Sequence, residues 1–184
     1  MPTETPEDVE EIPRLVKHLE HRVVKESRGK KRLGLITLSL SSFVPKPFTP
    51  FQWSPFLDVG ELKKRLKLVR QGLKGLKEVR VNTDLPKWAY VQALLSRGDR
   101  RVGDLLLAAH IQGWSRAFKE SPVNPDFFTL RERPHHELFP WDFIDHGLNK
   151  EYLWEEYQKA LAVEETPPCR PDICTRCGVC AGVE

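Results

Sequence analysis

Four cysteines, Cys169, Cys174, Cys177 and Cys180, fall within twelve residues in the run CRPDICTRCGVC, and they are the only cysteines among 184 residues. Thiolates are soft ligands, and four at this spacing can close around one zinc ion or one iron–sulfur cluster. A zinc ribbon usually takes its ligands from two well-separated Cys-x-x-Cys knuckles. Here Cys174, Cys177 and Cys180 form a compact Cys-x-x-Cys-x-x-Cys with Cys169 ahead of it. That pattern is closer to cluster ligation, with a [4Fe-4S] cluster expected, although it lacks the x-x-x-Cys-Pro ending of bacterial ferredoxins. Gly178 gives the backbone freedom to turn around a centre. The alternative is an unliganded, reactive tail. Cysteines gathered at one end fit a metal site better than a disulfide framework.

Two further groups could carry chemistry. Lys63, Lys64, Arg65, Lys67, Arg70, Lys74, Lys77 and Arg80 are opposed only by Glu61 and Glu78, a density that could track phosphates. The blander reading, the solvated face of an amphipathic helix, is favoured, and no aromatic residue interrupts the run to stack bases. His135 and His136 lie near Glu132, Glu137, Asp142 and Asp145, which could bind a metal. Adjacent histidines often point apart and no helical i, i+4 pair is present, so a structured loop anchored by Phe139 and Trp141 is favoured. The chain has neither a Gly-rich phosphate loop nor a Gly-x-Ser-x-Gly elbow.

The elements that must position these residues follow from periodicity. Thr5, Pro6 and Asp8 read as a capped helix start, followed by Val9, Ile12, Leu15, Val16, Leu19 and Val23 at helical spacing, with Pro13 expected to kink the helix or delay its start. Ser27 to Arg32 reads as a solvated turn. Leu33 to Val44 is short, apolar and partly alternating, and predicts a buried strand. The Pro-rich PKPFTPFQWSP that follows predicts an irregular loop whose aromatics must still pack. A helix is expected from about Asp58 to Lys77, with Leu62, Leu66, Val69, Leu73 and Leu76 as its apolar stripe. A short strand over Val79 to Asn82 is next. Helices are then expected over Pro86 to Arg97, from Asp99 to about Phe118, and from Asn149 or Lys150 to Ala162, with a loop over Ser121 to Gly147. This is an α/β chain in three parts: residues 1–83, a helical extension over 84–163, and the Cys-rich tail, 164–184.

Composition is that of a folded chain, 40% hydrophobic and 30% charged, with a net charge of +3 that does not by itself argue for nucleic acid. There is no run of about 18 apolar residues to span a membrane, and no secretory signal at the acidic N-terminus. A cytoplasmic location is therefore expected.

Three stretches resemble one family. PTETPEDVEEI is similar to the segment after a core strand in radical S-adenosylmethionine (SAM) enzymes, ITLSLSSFVPKPFTPFQW to the last strands of their partial barrel, and SRGDRRVGDLL, PWDFIDHGLNKEYLWEEY and CTRCGVC to a C-terminal region. In this order they resemble the C-terminal part of a cobalamin-binding-type radical SAM family of unknown substrate. The resemblance implies a remnant of a partial (β/α) barrel, with Thr3 and Glu4 near the SAM or substrate pocket. Ser41, Ser42, Phe43 and Val44 would lie where the final strand passes the adenine. It also implies that Cys169, Cys174, Cys177 and Cys180 hold an auxiliary centre. One departure is decisive: the Cys-x-x-x-Cys-x-x-Cys that binds the SAM-cleaving cluster is absent. The chain is thus expected to be a C-terminal portion, inactive alone, with a missing N-terminal barrel half as partner and SAM and cobalamin only in the complete enzyme. The competing function is a small zinc or iron–sulfur module contacting RNA or a protein through the basic helix and the tail.

Overall fold

The computed structural model describes residues 1–29, 34–170 and 173–180. Lys30, Lys31 and Arg32 of the basic turn, and Leu33 of the expected strand, lie outside the described residues. The chain is α/β, with a two-stranded parallel sheet and helices making up about half of it. It divides into two compact units, residues 3–43 with 57–89 and residues 44–56 with 90–184. Among the described residues no helix is long and apolar enough to cross a membrane.

In the first unit, α1 (Pro6–Glu26) starts as its sequence dictates. The Thr5 hydroxyl accepts from the Asp8 amide at 3.2 Å, and the Asp8 carboxylate accepts from the Thr5 amide at 2.8 Å. That reciprocal box satisfies two amides that a helix start leaves unpaired. Pro13 does not delay the start; it lies inside the helix. α2 (Val59–Gly72) is capped by Asp58, whose carboxylate accepts from Gly60 and Glu61 at 2.7 and 3.1 Å. Arg65 of α2 reaches Glu4, and a methyl group at Gly72 would lie 2.8 Å from Pro13. These two contacts set α1 and α2 side by side and running the same way.

Strands β1 (Ile36–Leu40) and β2 (Val79–Thr83) pair in parallel, Ile36 beside Val79 through Leu40 beside Thr83. Leu38, Leu40, Val79 and Val81 pack under Val9 and Val16 of α1 and Val69 and Leu73 of α2. Both helices thus cover the same face. The other face carries Thr37, Ser39, Arg80 and Asn82, all exposed. The expectation of a longer strand buried on both sides needs correction: β1 spans five residues and alternates in exposure. Leu15 and Leu19, read as core positions of α1, are 56% and 42% exposed.

The second unit is mostly helical. α3 (Pro86–Arg97), inside which the division falls, ends as expected. The single helix expected from Asp99 to Phe118 is two, α4 (Arg101–Gln112) and α5 (Trp114–Glu120). Gly113, at φ +81°, breaks the ladder where an L side chain would be strained. Leu94, Val102, Leu105, Ala109, Ala117 and Phe128 form one apolar core. The loop expected after Ser121 contains a short helix, α6 (Pro125–Thr129), and the Pro-rich segment winds into a 3-10 turn, Pro50–Trp53, rather than remaining irregular. α7 (Lys150–Leu161) starts at Asn149, whose side chain accepts from the Glu151 amide at 3.0 Å. Trp53, fully buried, packs on Trp154, Tyr157 and Phe139 with ring centroids 5.1, 5.9 and 5.6 Å away.

Irregular backbone at the centre of this unit is satisfied by a side chain. Arg97, 1% exposed, donates to the carbonyls of Gln52, Ser54, Phe128 and Arg131. Burial, then the neighbouring Arg133 and Arg131, push its pKa down to about 9, so it remains charged at neutral pH. Arg133 is also buried; it donates to the Arg97 carbonyl and lies 5.2 and 5.3 Å from the rings of Phe139 and Trp141. Its Nε and Nη1 have no hydrogen-bond partner among the described residues, which leaves the aromatic faces and Glu137, 3.6 Å away, to balance its charge.

Two predictions follow from this packing. Gly72→Ala places its methyl group against Pro13, so a loss of about 1–3 kcal/mol is expected; an unchanged urea midpoint would rule out the close α1–α2 approach. Burial raises the Glu137 pKa, but hydrogen bonds from Arg131 at 2.6 and 2.5 Å and the charges of Arg131, Arg133 and Arg97 outweigh it, so the net shift is downward. A carboxylate held below its unfolded range stabilises the fold above that range and loses this contribution as pH falls through the folded value. Glu137→Gln should therefore cost about 1–3 kcal/mol near pH 7, with the gap to wild type closing on acidification. A gap independent of pH would refute the ion-pair origin.

Candidate metal centre

The tail is seated on the N-terminal half of α7. The Asn149 amide donates to the Cys177 carbonyl at 2.8 Å, so the residue that caps the helix also holds the tail. Gly178 has φ +90°, and a side chain there would meet the Gly147 carbonyl at 3.0 Å. Both constraints demand glycine, which gives the expected backbone freedom a concrete cause: the tail presses on the turn before α7. Arg176 extends along the helix to Glu155 at 3.3 Å and Glu156 at 3.9 Å, with its guanidinium 5.6 Å from the centre of the Tyr152 ring. The amides of Ile173 and Cys174 donate to the Arg170 carbonyl at 3.1 and 2.8 Å.

Cys169 is exposed; Cys174, Cys177 and Cys180 are partly covered, and all four are free thiols. Partial burial, then the charges of Cys177, Cys169 and Cys174, push the Cys180 thiol up. Among the described residues no group of three or more His, Cys, Asp or Glu converges on a common point. The structure anchors this segment to α7 at Cys177, and among the described residues the four sulfurs do not gather around a centre. Their soft, fourfold donor set fits zinc or an iron–sulfur cluster.

The other candidate residues are placed as follows. Thr3 is exposed ahead of α1, and Glu4 accepts from Arg65 at 3.3 Å and from the Met1 ammonium at 2.9 Å. Ser41 is exposed and Ser42 half-buried just past β1; Val44, half-buried, belongs to the second unit. His135 stacks on Trp154 with centroids 4.5 Å apart and contacts Glu151 at 2.9 Å. The nearby carboxylates have partners too: Glu132 with Tyr157, Glu137 with Arg131, Asp142 with Lys150 and Asp145 with the Gly147 amide. Phe139 and Trp141 are 4% and 7% exposed, so the loop is anchored by its aromatics as its sequence predicts. Arg176, Tyr152 and Asn149 were not singled out from sequence; only the position of Arg176 between two ligand-type cysteines hinted at a role. A separate concavity of about 370 Å³ is lined by Arg101, Pro122, Val123, Asn124, Phe127 and Phe128. Its one guanidinium binds Asp99 with both carboxylate oxygens, at 2.7 and 3.0 Å.

Gly178→Ala should lift the tail from α7. Limited trypsin digestion followed by mass spectrometry is expected to show cleavage after Arg176 several-fold faster than in wild type. Equal rates would mean that the Gly178–Gly147 contact does not hold the tail.

Comparison with protein-family models finds no match, and no solved structure matches the chain. An uncharacterized protein of Methanocaldococcus jannaschii is 33% identical over 107 residues, 58% of this chain. The match takes in 21% of that protein's length, so the chain spans only a small part of the curated relative it matches.

Proposed function

We propose that this chain is the C-terminal portion of a radical SAM enzyme, forming part of its barrel wall and carrying an auxiliary metal centre on its last cysteines. The observation that carries the reading is the one-sided sheet. Doubly wound α/β folds place helices on both faces of a parallel sheet, whereas a β/α barrel places them only outside. Here α1 and α2 cover one face of β1 and β2, and the face left open is lined by polar side chains, Thr37, Ser39, Arg80 and Asn82. The exposed Leu15 and Leu19 of α1 are the surface a neighbouring barrel helix would cover. The partial match to a much longer relative is in keeping with this.

In the complete enzyme Thr3, Glu4, Ser41, Ser42 and Val44 would contribute backbone groups and packing near SAM or substrate. The sequence lacks the Cys-x-x-x-Cys-x-x-Cys needed for SAM cleavage, so the missing barrel half must supply it, with any cobalamin. Cys169, Cys174, Cys177 and Cys180 would hold the auxiliary centre, and an iron–sulfur cluster there would supply one-electron transfer. Four protein thiolates fill the usual ligand sites, which favours electron transfer or structure over substrate binding. Asn149 and Arg176 fix the segment that carries these ligands.

Oxygen-free purification with metal analysis and visible spectroscopy tests the proposal. Iron, sulfide and charge-transfer absorption are expected, and all should fall sharply in Cys177→Ser. One zinc per chain without that absorption would overturn the iron–sulfur assignment. The wall assignment predicts association or marginal stability for the chain alone, because among the described residues β1 and β2 leave strand edges unpaired. A monomer with a cooperative melt at high temperature would overturn it.

A further inference from the structure

α2 and the turn after it carry two parallel stripes. Leu62, Leu66, Val69 and Leu73 advance by 4, 3 and 4 residues; Val69 and Leu73, only 2% and 5% exposed, enter the core, and Leu62 and Leu66 are half-buried. One residue further along, Lys63, Lys67, Arg70 and Lys74 repeat the same spacing and are all exposed. Side chains three and four apart on a helix are neighbours, so Lys63–Lys67 and Lys67–Arg70 are successive like-charge neighbours, each of which destabilises the helix, and Lys74 follows in the turn after it. Among the described residues none of the four makes an ion pair; Glu61 is taken by Lys64 and Arg65, at 3.4 and 3.5 Å. Arg70 donates to the Thr83 hydroxyl, which fixes its position without neutralising it. The repulsion is left standing from Lys63 to Arg70, roughly 10 Å at 1.5 Å per residue, and Lys74 extends the basic row into the turn after α2.

We infer that this stripe binds the phosphodiester backbone of a single nucleic-acid strand. A row of cations one residue wide matches one chain of phosphates, and a polyanion relieves the like-charge repulsion along it. A lipid surface fits less well, because the apolar side of α2 is turned into the core and cannot insert. The stripe offers no aromatic group and no paired donor and acceptor to read a base edge, so binding is independent of sequence and strongly salt-dependent. The inference is independent of the radical SAM reading.

The test is fluorescence anisotropy with the full chain and a labelled 20-nucleotide single-stranded RNA. Binding is expected at 50 mM salt and should weaken about 50-fold by 200 mM, the dependence for roughly four phosphates on a single strand. Single-stranded DNA of the same sequence should behave alike. Lys67→Glu with Lys74→Glu should weaken binding by at least about 10-fold and reduce the log–log salt slope by more than one. Lys17→Glu, an exposed position on α1, should change neither. The double variant replaces exposed residues and relieves repulsion, so its melt should not fall below wild type; Lys63→Gln with Lys67→Gln provides a second variant with a smaller charge change. Absence of binding at 50 mM salt, binding indifferent to both double variants, or binding to phosphatidylserine vesicles in preference to RNA would each overturn the inference. A Cys177→Ser chain that has lost its metal but still binds RNA would separate this site from the metal centre.

Discussion

The second unit depends on the burial of one guanidinium. A core containing irregular backbone faces a deficit of donors, because carbonyls in loops lack the ladder that helices and strands provide. Arg97 closes that deficit for Gln52, Ser54, Phe128 and Arg131 at once. With the Gln52–Ser54 segment fixed, Trp53 is held among Trp154, Tyr157 and Phe139, and the Gln52 side chain accepts from the Phe48 amide and the Trp141 indole at 3.2 and 2.9 Å. Those rings hold α7, and α7 holds the cysteine tail. The candidate metal site thus rests on an arginine whose side chain never meets it. Desolvating such a cation is costly, and charge-assisted bonds to several carbonyls are what make it tolerable.

The first unit is governed by a different constraint. Among the described residues, two parallel strands bury one face under α1 and α2 and leave both edges and the other face open, an arrangement rarely stable in isolation. This unit carries a polar open sheet face and exposed leucines on α1. The basic stripe occupies the outward side of α2, away from the apolar core it shares with the sheet. Within this unit, the polar sheet face and the cationic helix face therefore lie on opposite sides of one layer of packed leucines and valines.

Local features were legible in the sequence and distant ones were not. The Thr5–Asp8 box, the starts of α2 and α7 near Asp58 and Asn149, the limits of α3 and the core positions Val69 and Leu73 of α2 each depend on residues within a few positions of one another. The same logic failed at Gly113, where a glycine inside an apolar pattern ends one helix and starts the next. Arg97 reads as an ordinary last-turn residue, because nothing local announces carbonyls contributed from more than thirty positions away on either side. The Pro-rich segment gave away its aromatics but not that residues 44–56 pack with the C-terminal part of the chain. Cysteine spacing pointed to a ligand set, while its support by Asn149 and Arg176 required the fold.

The hydrogen bond from the Asn149 amide to the Cys177 carbonyl links two equilibria. Fraying of the first turn of α7 and detachment of the tail share one step, since neither can proceed far without breaking that bond. By reciprocity, anything that tightens the tail lowers the opening probability of the helix start by the same factor. The Asn149 amide is then a built-in reporter, and its rate of exchange with solvent deuterium tracks the state of a site to which it contributes no ligand.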